Sequence, residues 1–371
     1  MVESRTLARS YRRAGEGEAA RTSPLDARVA IALAESDEAM RAIAAAPAHG
    51  RRPSAVLAAL QDLALAGRAP ALASAHADRD GDAAAVAAVA LLVTTPDLVM
   101  ATAARRPVRA DETGRCAVLH PAIAEAAARV GASTIGMVDL DGGAGLNLTV
   151  DRAAVRHGDG GMLGDPSSVR HTAEVVGDRS VPWRVLPEVV TRILVDRDPF
   201  DVTDPDDTRW LRACVPPDHP ERRARLDDEL ALAASAPPTV VRGDAVDVLS
   251  EVVADMPLDA LPVVVTTWSL ARRSREERLR MMEHLDASAT DRPVAWITVE
   301  GVGVAPAVPT LGDRRGSGHS IVGLTIVEAQ TLRSEAIGRC WSRGRWMSWL
   351  ADTRGDRTAV SPAPAPRPAS R

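Results

Sequence analysis

The feature that most constrains the fold is a short apolar run that ends in a carboxylate and a glycine-rich turn. Thr134-Ile135-Gly136-Met137-Val138 leads into Asp139-Leu140-Asp141-Gly142-Gly143-Ala144-Gly145-Leu146-Asn147-Leu148. A brief apolar run bounded by turn formers reads as a strand buried on both faces, the kind that parallel sheets contain because helices cover them. Glycine in the turn permits left-handed backbone and close approach of a ligand. A helix is expected next, with first-turn amides able to receive a polar or anionic group. Asp139 at the strand end can accept hydrogen bonds from a cationic ligand.

The rest of the chain fits around that unit. Residues 152–157 and 169–176 are expected to form a hairpin around the glycine-rich segment 158–164. Thr191–Val195 reads as a strand, and Asp204-Pro205-Asp206-Asp207 opens a helix with an N-cap, a first-position proline and first-turn acids. A helix is expected over about 219–235. Strands are expected at Val240, Val263–Val265 and Val294–Val299, with a charged helix at 274–287 before the last. This alternation predicts an α/β fold with a doubly wound, mostly parallel sheet. Residues 1–107 differ and read as a helical domain. Ser23-Pro24-Leu25-Asp26 begins one helix, with apolar positions through Val29, Leu33 and Met40. Others start near Ser54, span Ala83–Leu92 and follow Pro96 to Arg105. The α/β domain then takes 108–352, and the Pro-, Ala- and Ser-rich tail 353–371 is expected to be disordered.

Composition narrows the function classes. The 371 residues are 46% hydrophobic and 26% charged, enough to build a core, and the net charge is −5. All 45 basic side chains are arginine. An acidic balance does not favour a nucleic-acid partner. No apolar run reaches the roughly 18 residues of a membrane span, and the first twenty residues lack a signal-peptide core. Cys116, Cys214 and Cys340 are odd in number and scattered, as reduced cytoplasmic thiols are. The eight histidines form no ligand pair, so no metal is expected. A Gly-x-Ser-x-Gly elbow and a Gly-Lys-Ser/Thr phosphate loop are both missing, as is an Asn/Asp-Pro-Pro-Tyr string.

The glycine turn resembles the first motif of class I S-adenosylmethionine-dependent methyltransferases, an acid followed by alternating glycines. Asp139 matches the acid, and Gly143 and Gly145 match the second and third glycines. Asp141 stands where the first glycine is usual. Leu194-Val195-Asp196-Arg197-Asp198-Pro199 resembles the second strand of that fold, which implies that Asp196 meets ribose hydroxyls. Val241-Arg242-Gly243-Asp244-Ala245 resembles the third-strand motif, which implies that Asp244 and Ala245 lie by the adenine. The resemblance thus implies a Rossmann-like core and a cofactor site of Asp139, Asp141, Gly143, Gly145, Asn147, Asp196, Asp244 and Ala245. Thr267, Trp268 and Ser269 would end the fourth strand beside the transferred methyl group. The Thr267 and Ser269 hydroxyls would orient a substrate or cap the next helix. Glu112 and Arg115 read as a closure over the ligand or as an exposed ion pair. Trp341, Trp346 and Trp349 read as core anchors.

The whole chain, over about 5–350, is similar to an uncharacterised bacterial family, domain of unknown function 2332. The strings that carry this are Glu112–Arg115, Ala144–Leu148, Asp201–Trp210, Arg242–Asp247, Val294–Gly301 and Gly344–Leu350. Asp141, and Ser342 where His is expected, depart from the family pattern. Membership implies the methyltransferase-like core and brings no established reaction. Two functions follow as expectations. One is a methyltransferase acting on a small molecule, in which alignment of donor and acceptor suffices and no catalytic residue is assigned. The other is a non-catalytic binding or assembly protein with a degenerate cofactor loop. In either case the helical domain is expected to cover the C-terminal edge of the sheet.

Overall fold

A computed structural model describes residues 2–352 apart from 110–112, 165–166, 168, 330 and 342–343. Glu112, Ser342 and the tail 353–371 therefore lie outside the described residues. The N-terminal part folds as α1 (Val2–Glu16), α2 (Glu18–Thr22), α3 (Pro24–Glu35), α4 (Asp37–Ala45), α5 (Pro53–Leu65), α6 (Pro70–Asp78), α7 (Gly81–Thr94) and α8 (Pro96–Arg105). Ser23 caps α3 by accepting from the Asp26 amide, as its position before proline predicts. The expected run to Met40 is broken at Ser36, whose side chain accepts from the Ala39 amide and starts a second helix. α6 had not been expected, because its starting proline also reads as a breaker.

The α/β part runs α9 (Cys116–Val130), β1 (Thr134–Leu140), β2 (Ala154–His157), β3 (Arg170–Val175), β4 (Glu188–Asp196), α10 (Pro205–Ala213), α11 (Pro220–Ala234), β5 (Thr239–Arg242), α12 (Ala245–Ala254), β6 (Leu261–Thr267), α13 (Arg275–Ser288), β7 (Val294–Gly301), β8 (Ser320–Glu328), β9 (Thr331–Cys340) and β10 (Trp346–Trp349). Among the described residues these make one ten-stranded, mostly parallel sheet in the order β2-β3-β10-β9-β8-β7-β6-β1-β4-β5. From β1 the chain goes out to β4 and β5, then returns to β6 and β7 on the other side. The switch point where open α/β sheets bind ligands thus lies between β1 and β6.

Successive residues of the central strands serve opposite faces. Ile135, Met137, Val263, Val265 and Ile297 join α9 in one core, while Val138, Leu140, Val264 and Trp296 join α12 and α13 in another. Helices therefore cover both faces, as the apolar runs predicted. Each fully buried Val, Leu or Ile contributes about 1.5–3 kcal/mol. A third core unites the helical layer with α10 and α11. Tyr11, Leu33, Val56 and Leu92 share it with Phe200, Trp210, Leu211 and Leu226, and with Ala144 and Leu146 of the glycine turn.

Three expectations need correction. Segments 152–157 and 169–176 do pair, but β2 and β3 run parallel and form no hairpin. The intervening loop folds back first, through a bridge between Val155 and Leu163, and this lets the chain re-enter in the same direction. The glycine turn is followed by a single four-residue 3-10 turn, Leu146–Thr149, and no helix. Its side chains are drawn inward, Asn147 toward Asp139 and Leu146 into the helical core. Of the three tryptophans expected as anchors, Trp349 is buried and Trp341 is exposed. Among the described residues no single helix is long and apolar enough to cross a membrane.

Candidate functional site

The parallel register fixes the acids. Asp139 pairs with Leu194 across β1 and β4, so Asp139 and Asp196, two residues beyond Leu194, project to the same face of neighbouring tips. Asp244 follows β5, the next strand outward, and caps α12 by accepting from the Val246 amide. The order of the sheet therefore brings the three acid-bearing strand ends side by side, around the glycine turn.

Their oxygens are engaged by protein donors. Asp139, fully buried, accepts from Asn147 Nδ2 at 3.1 Å on each oxygen, and the same nitrogen reaches Thr267 Oγ1 at 3.1 Å. Asn147 thus spans the switch point from β1 to β6. Asp196 is 1% exposed. Its Oδ2 accepts from the Gly143 amide at 3.0 Å, and its Oδ1 from the Asp198 amide and Arg109 Nη2, both at 2.9 Å. Arg109 also donates to the Asp141 carbonyl at 3.2 Å.

Asp141 has φ of 55°, left-handed backbone that only glycine adopts without cost. That geometry sends its carboxylate outward to Arg273, which grips it with Nε at 2.9 Å and Nη2 at 3.0 Å. Arg273 is 8% exposed, and its Nη1 continues to Asp244 at 3.1 Å. Arg197 approaches Asp244 from the solvent side. The result is a continuous ladder, Asp196–Arg109–Asp141–Arg273–Asp244, laid across three strand tips. Bidentate guanidinium–carboxylate pairs of this kind fix geometry as well as charge. Gly143 and Gly145 both take positive φ, and a Cβ on Gly142 would sit 2.2 Å from Asp139 Oδ2. Ala245 is fully buried in the core beneath α12.

On the β6 side, Thr267 Oγ1 accepts from Arg115 at 2.9 Å, and the Arg115 guanidinium stacks 4.8 Å from the Trp268 ring. Trp268 donates to Ser320 Oγ at 2.8 Å. Ser269 does not cap the next helix. Ser274 does so through a reciprocal capping box with Glu277. Instead the Ser269 and Leu270 amides both donate to Glu300 Oε1 at 3.0 Å. Burial pushes the Glu300 carboxyl up to about 7, against those two amides. Burial likewise raises the Cys116 and Cys340 thiols, so neither is an activated nucleophile.

Arg109, Arg273 and Glu300 are the residues that sequence reasoning missed. Arg273 had a usable signal. It immediately precedes the Ser274-x-x-Glu277 capping box, which fixes where the helix starts and hence where the arginine stands.

A family model described as an uncharacterised protein conserved in bacteria, domain of unknown function 2332, matches residues 8–349. The chain belongs to this family. No curated protein and no solved structure matches it. Within this member of domain of unknown function 2332, the matched span takes in every strand and the whole arginine–carboxylate ladder.

Proposed function

We propose that this chain is a non-catalytic binding or assembly protein built on an α/β core of methyltransferase-like plan. One observation carries the reading: Arg109 and Arg273 hold Asp141, Asp196 and Asp244 in a closed ladder. A carboxylate offers about four acceptor sites, and three N–H groups already meet the almost fully buried Asp196. That leaves about one site, so a pair of ribose hydroxyls would have to displace at least one of these donors. The Asp141–Arg273 pair crosses the space between the glycine turn and Asp244 that an adenosine would span. On this reading S-adenosylmethionine does not fit the residues as arranged. Calorimetry of the purified protein with S-adenosylmethionine and with S-adenosylhomocysteine is expected to give no saturable heat. Micromolar binding by the unaltered protein overturns the proposal.

The convergence of Asp139, Asp196 and Asp244 on adjacent strand tips favours a second reading, a small-molecule methyltransferase whose closed ladder opens on binding. Asp141→Gly separates the two. It restores the glycine of the motif and frees Arg273 on one side. Cofactor affinity gained by this variant alone marks a degenerate loop, whereas affinity already present in the parent supports the enzyme.

A further inference from the structure

A second cluster of charge lies away from the ladder and shares no residue with it. A cavity of about 410 Å³ opens between the helical layer, β3, the residues before β10 and the start of α11. Arg79, Arg170, Arg225 and Arg345 all line it, each from a different part of the chain. Among the described residues none of these four guanidinium groups makes an ion pair. One of the two lining carboxylates, Asp218, is turned to α3, where it accepts from Ser23 Oγ at 2.7 Å and from the Leu25 amide at 3.1 Å.

Two further observations point the same way. α11 is fifteen residues long, and its first turn forms part of the wall. Its N-cap, His219, makes no side-chain cap, because its ring is bonded to the Thr22 carbonyl. The positive end of the helix dipole therefore faces the cavity, although Pro220 has no N–H and the Arg222 amide is already bonded to the His219 carbonyl. His171, only 5% exposed, also lines the cavity, and its Nε2 has no hydrogen-bond partner; Glu229 Oε1 stands off at 3.5 Å.

Like charges converge on a shared concavity at an electrostatic cost that an anion removes. Guanidinium groups match phosphoryl oxygens bidentately. The volume is that of a small-molecule site. The walls carry no aromatic ring beyond the imidazoles and are more polar than apolar, so they offer no stacking platform for a nucleobase. We propose that this cavity binds a compact compound bearing two phosphoryl groups, either an inorganic diphosphate or a phosphorylated sugar. The proposal goes beyond the reading of the strand tips and does not depend on it.

The test uses the full chain. Calorimetry with inorganic pyrophosphate and with a hexose bisphosphate, against sulfate at equal ionic strength, is expected to give saturable binding that sulfate does not match. Whichever of the two binds more tightly identifies the source. Arg170→Ala and Arg345→Ala should each weaken binding by about tenfold or more, the loss of one charge-assisted hydrogen bond. Arg280→Ala on the distant face of α13 should leave it unchanged. Hydrogen exchange of the unaltered protein gives a second readout, with protection by pyrophosphate expected at 113–114, 170–172 and 218–225. Failure of both probes to bind at millimolar concentration overturns the proposal. So does binding that sulfate equals, or protection that falls elsewhere. A pyrophosphate heat that persists while S-adenosylmethionine gives none, or the reverse, keeps the two sites' outcomes distinct.

Discussion

Removing Arg273 is the sharpest test of the ladder. The side chain is 7% exposed and its partners Asp141 and Asp244 are 14% and 12% exposed, so the charges sit largely out of water. Breaking a buried pair by deleting one member costs about 3–5 kcal/mol, because the other charge is left behind. Arg273→Ala strands two carboxylates, but Asp244 keeps the exposed Arg197, which places the expected loss near the lower end, about 3 kcal/mol. Asp141→Gly breaks the same contact from the other side with a different outcome. Arg273 retains Asp244, and relief of the left-handed residue returns about 1–2 kcal/mol. The two variants should therefore be unequal, with Arg273→Ala the more damaging by at least about 1 kcal/mol. Urea unfolding of parent, single and double variants at pH 7 measures both and yields the coupling energy between the residues. An Arg273→Ala protein as stable as the parent would refute the reasoning. So would an Asp141→Gly protein destabilised as much as Arg273→Ala.

Two further predictions concern the same region. Glu300 titrates near 7 in the folded chain against an ordinary 4.5. Folding thus takes up its proton: the contribution is complete below pH 4.5 and is lost as pH rises to about 7, a fall of about 3 kcal/mol. Asp26, also pushed up to about 7 by burial, acts with the same sign, so the comparison is best made in an Asp26→Asn background. There, Glu300→Gln should flatten stability against pH between 4.5 and 7, and an unaltered slope would sink the assignment. Gly142→Ala should cost about 1–3 kcal/mol, since its new methyl would meet Asp139 Oδ2. Thermal melts would check this, and an unchanged midpoint would mean that the turn adjusts freely.

Local signals were legible in the sequence. Ser23 and Asp204 announce helix starts because an N-cap bond closes within three residues. Apolar runs such as Val263–Val265 announce buried strands because both faces need covering. What failed depended on distant partners. Whether β2 and β3 pair parallel or antiparallel was decided by a loop that folds back on Val155. β8, β9 and β10 extend the sheet through antiparallel pairing that no strand–helix alternation signals. The resemblance implied that Asp139, Asp196 and Asp244 stand near one another, and the sheet places β1, β4 and β5 side by side. The resemblance could not reveal the arginines between them, because Arg109 reaches Asp196 across 87 positions and Arg273 reaches Asp141 across 132. In a chain with 45 arginines, no local pattern marks Arg109, and the capping box beside Arg273 shows where that residue stands but not which acids it reaches.

The helical layer has no private interior. Tyr11, Leu33 and Leu92 rest in the same apolar cluster as Trp210, Leu226 and the Ala144 of the glycine turn, and the Trp210 indole donates to the Pro107 carbonyl at 2.9 Å. Neither portion is portable. Expressed alone, each would present the other's imprint to water as a sticky face, and the intact molecule should melt in one step. Change at the turn is thereby chained to change in helices far earlier in the chain.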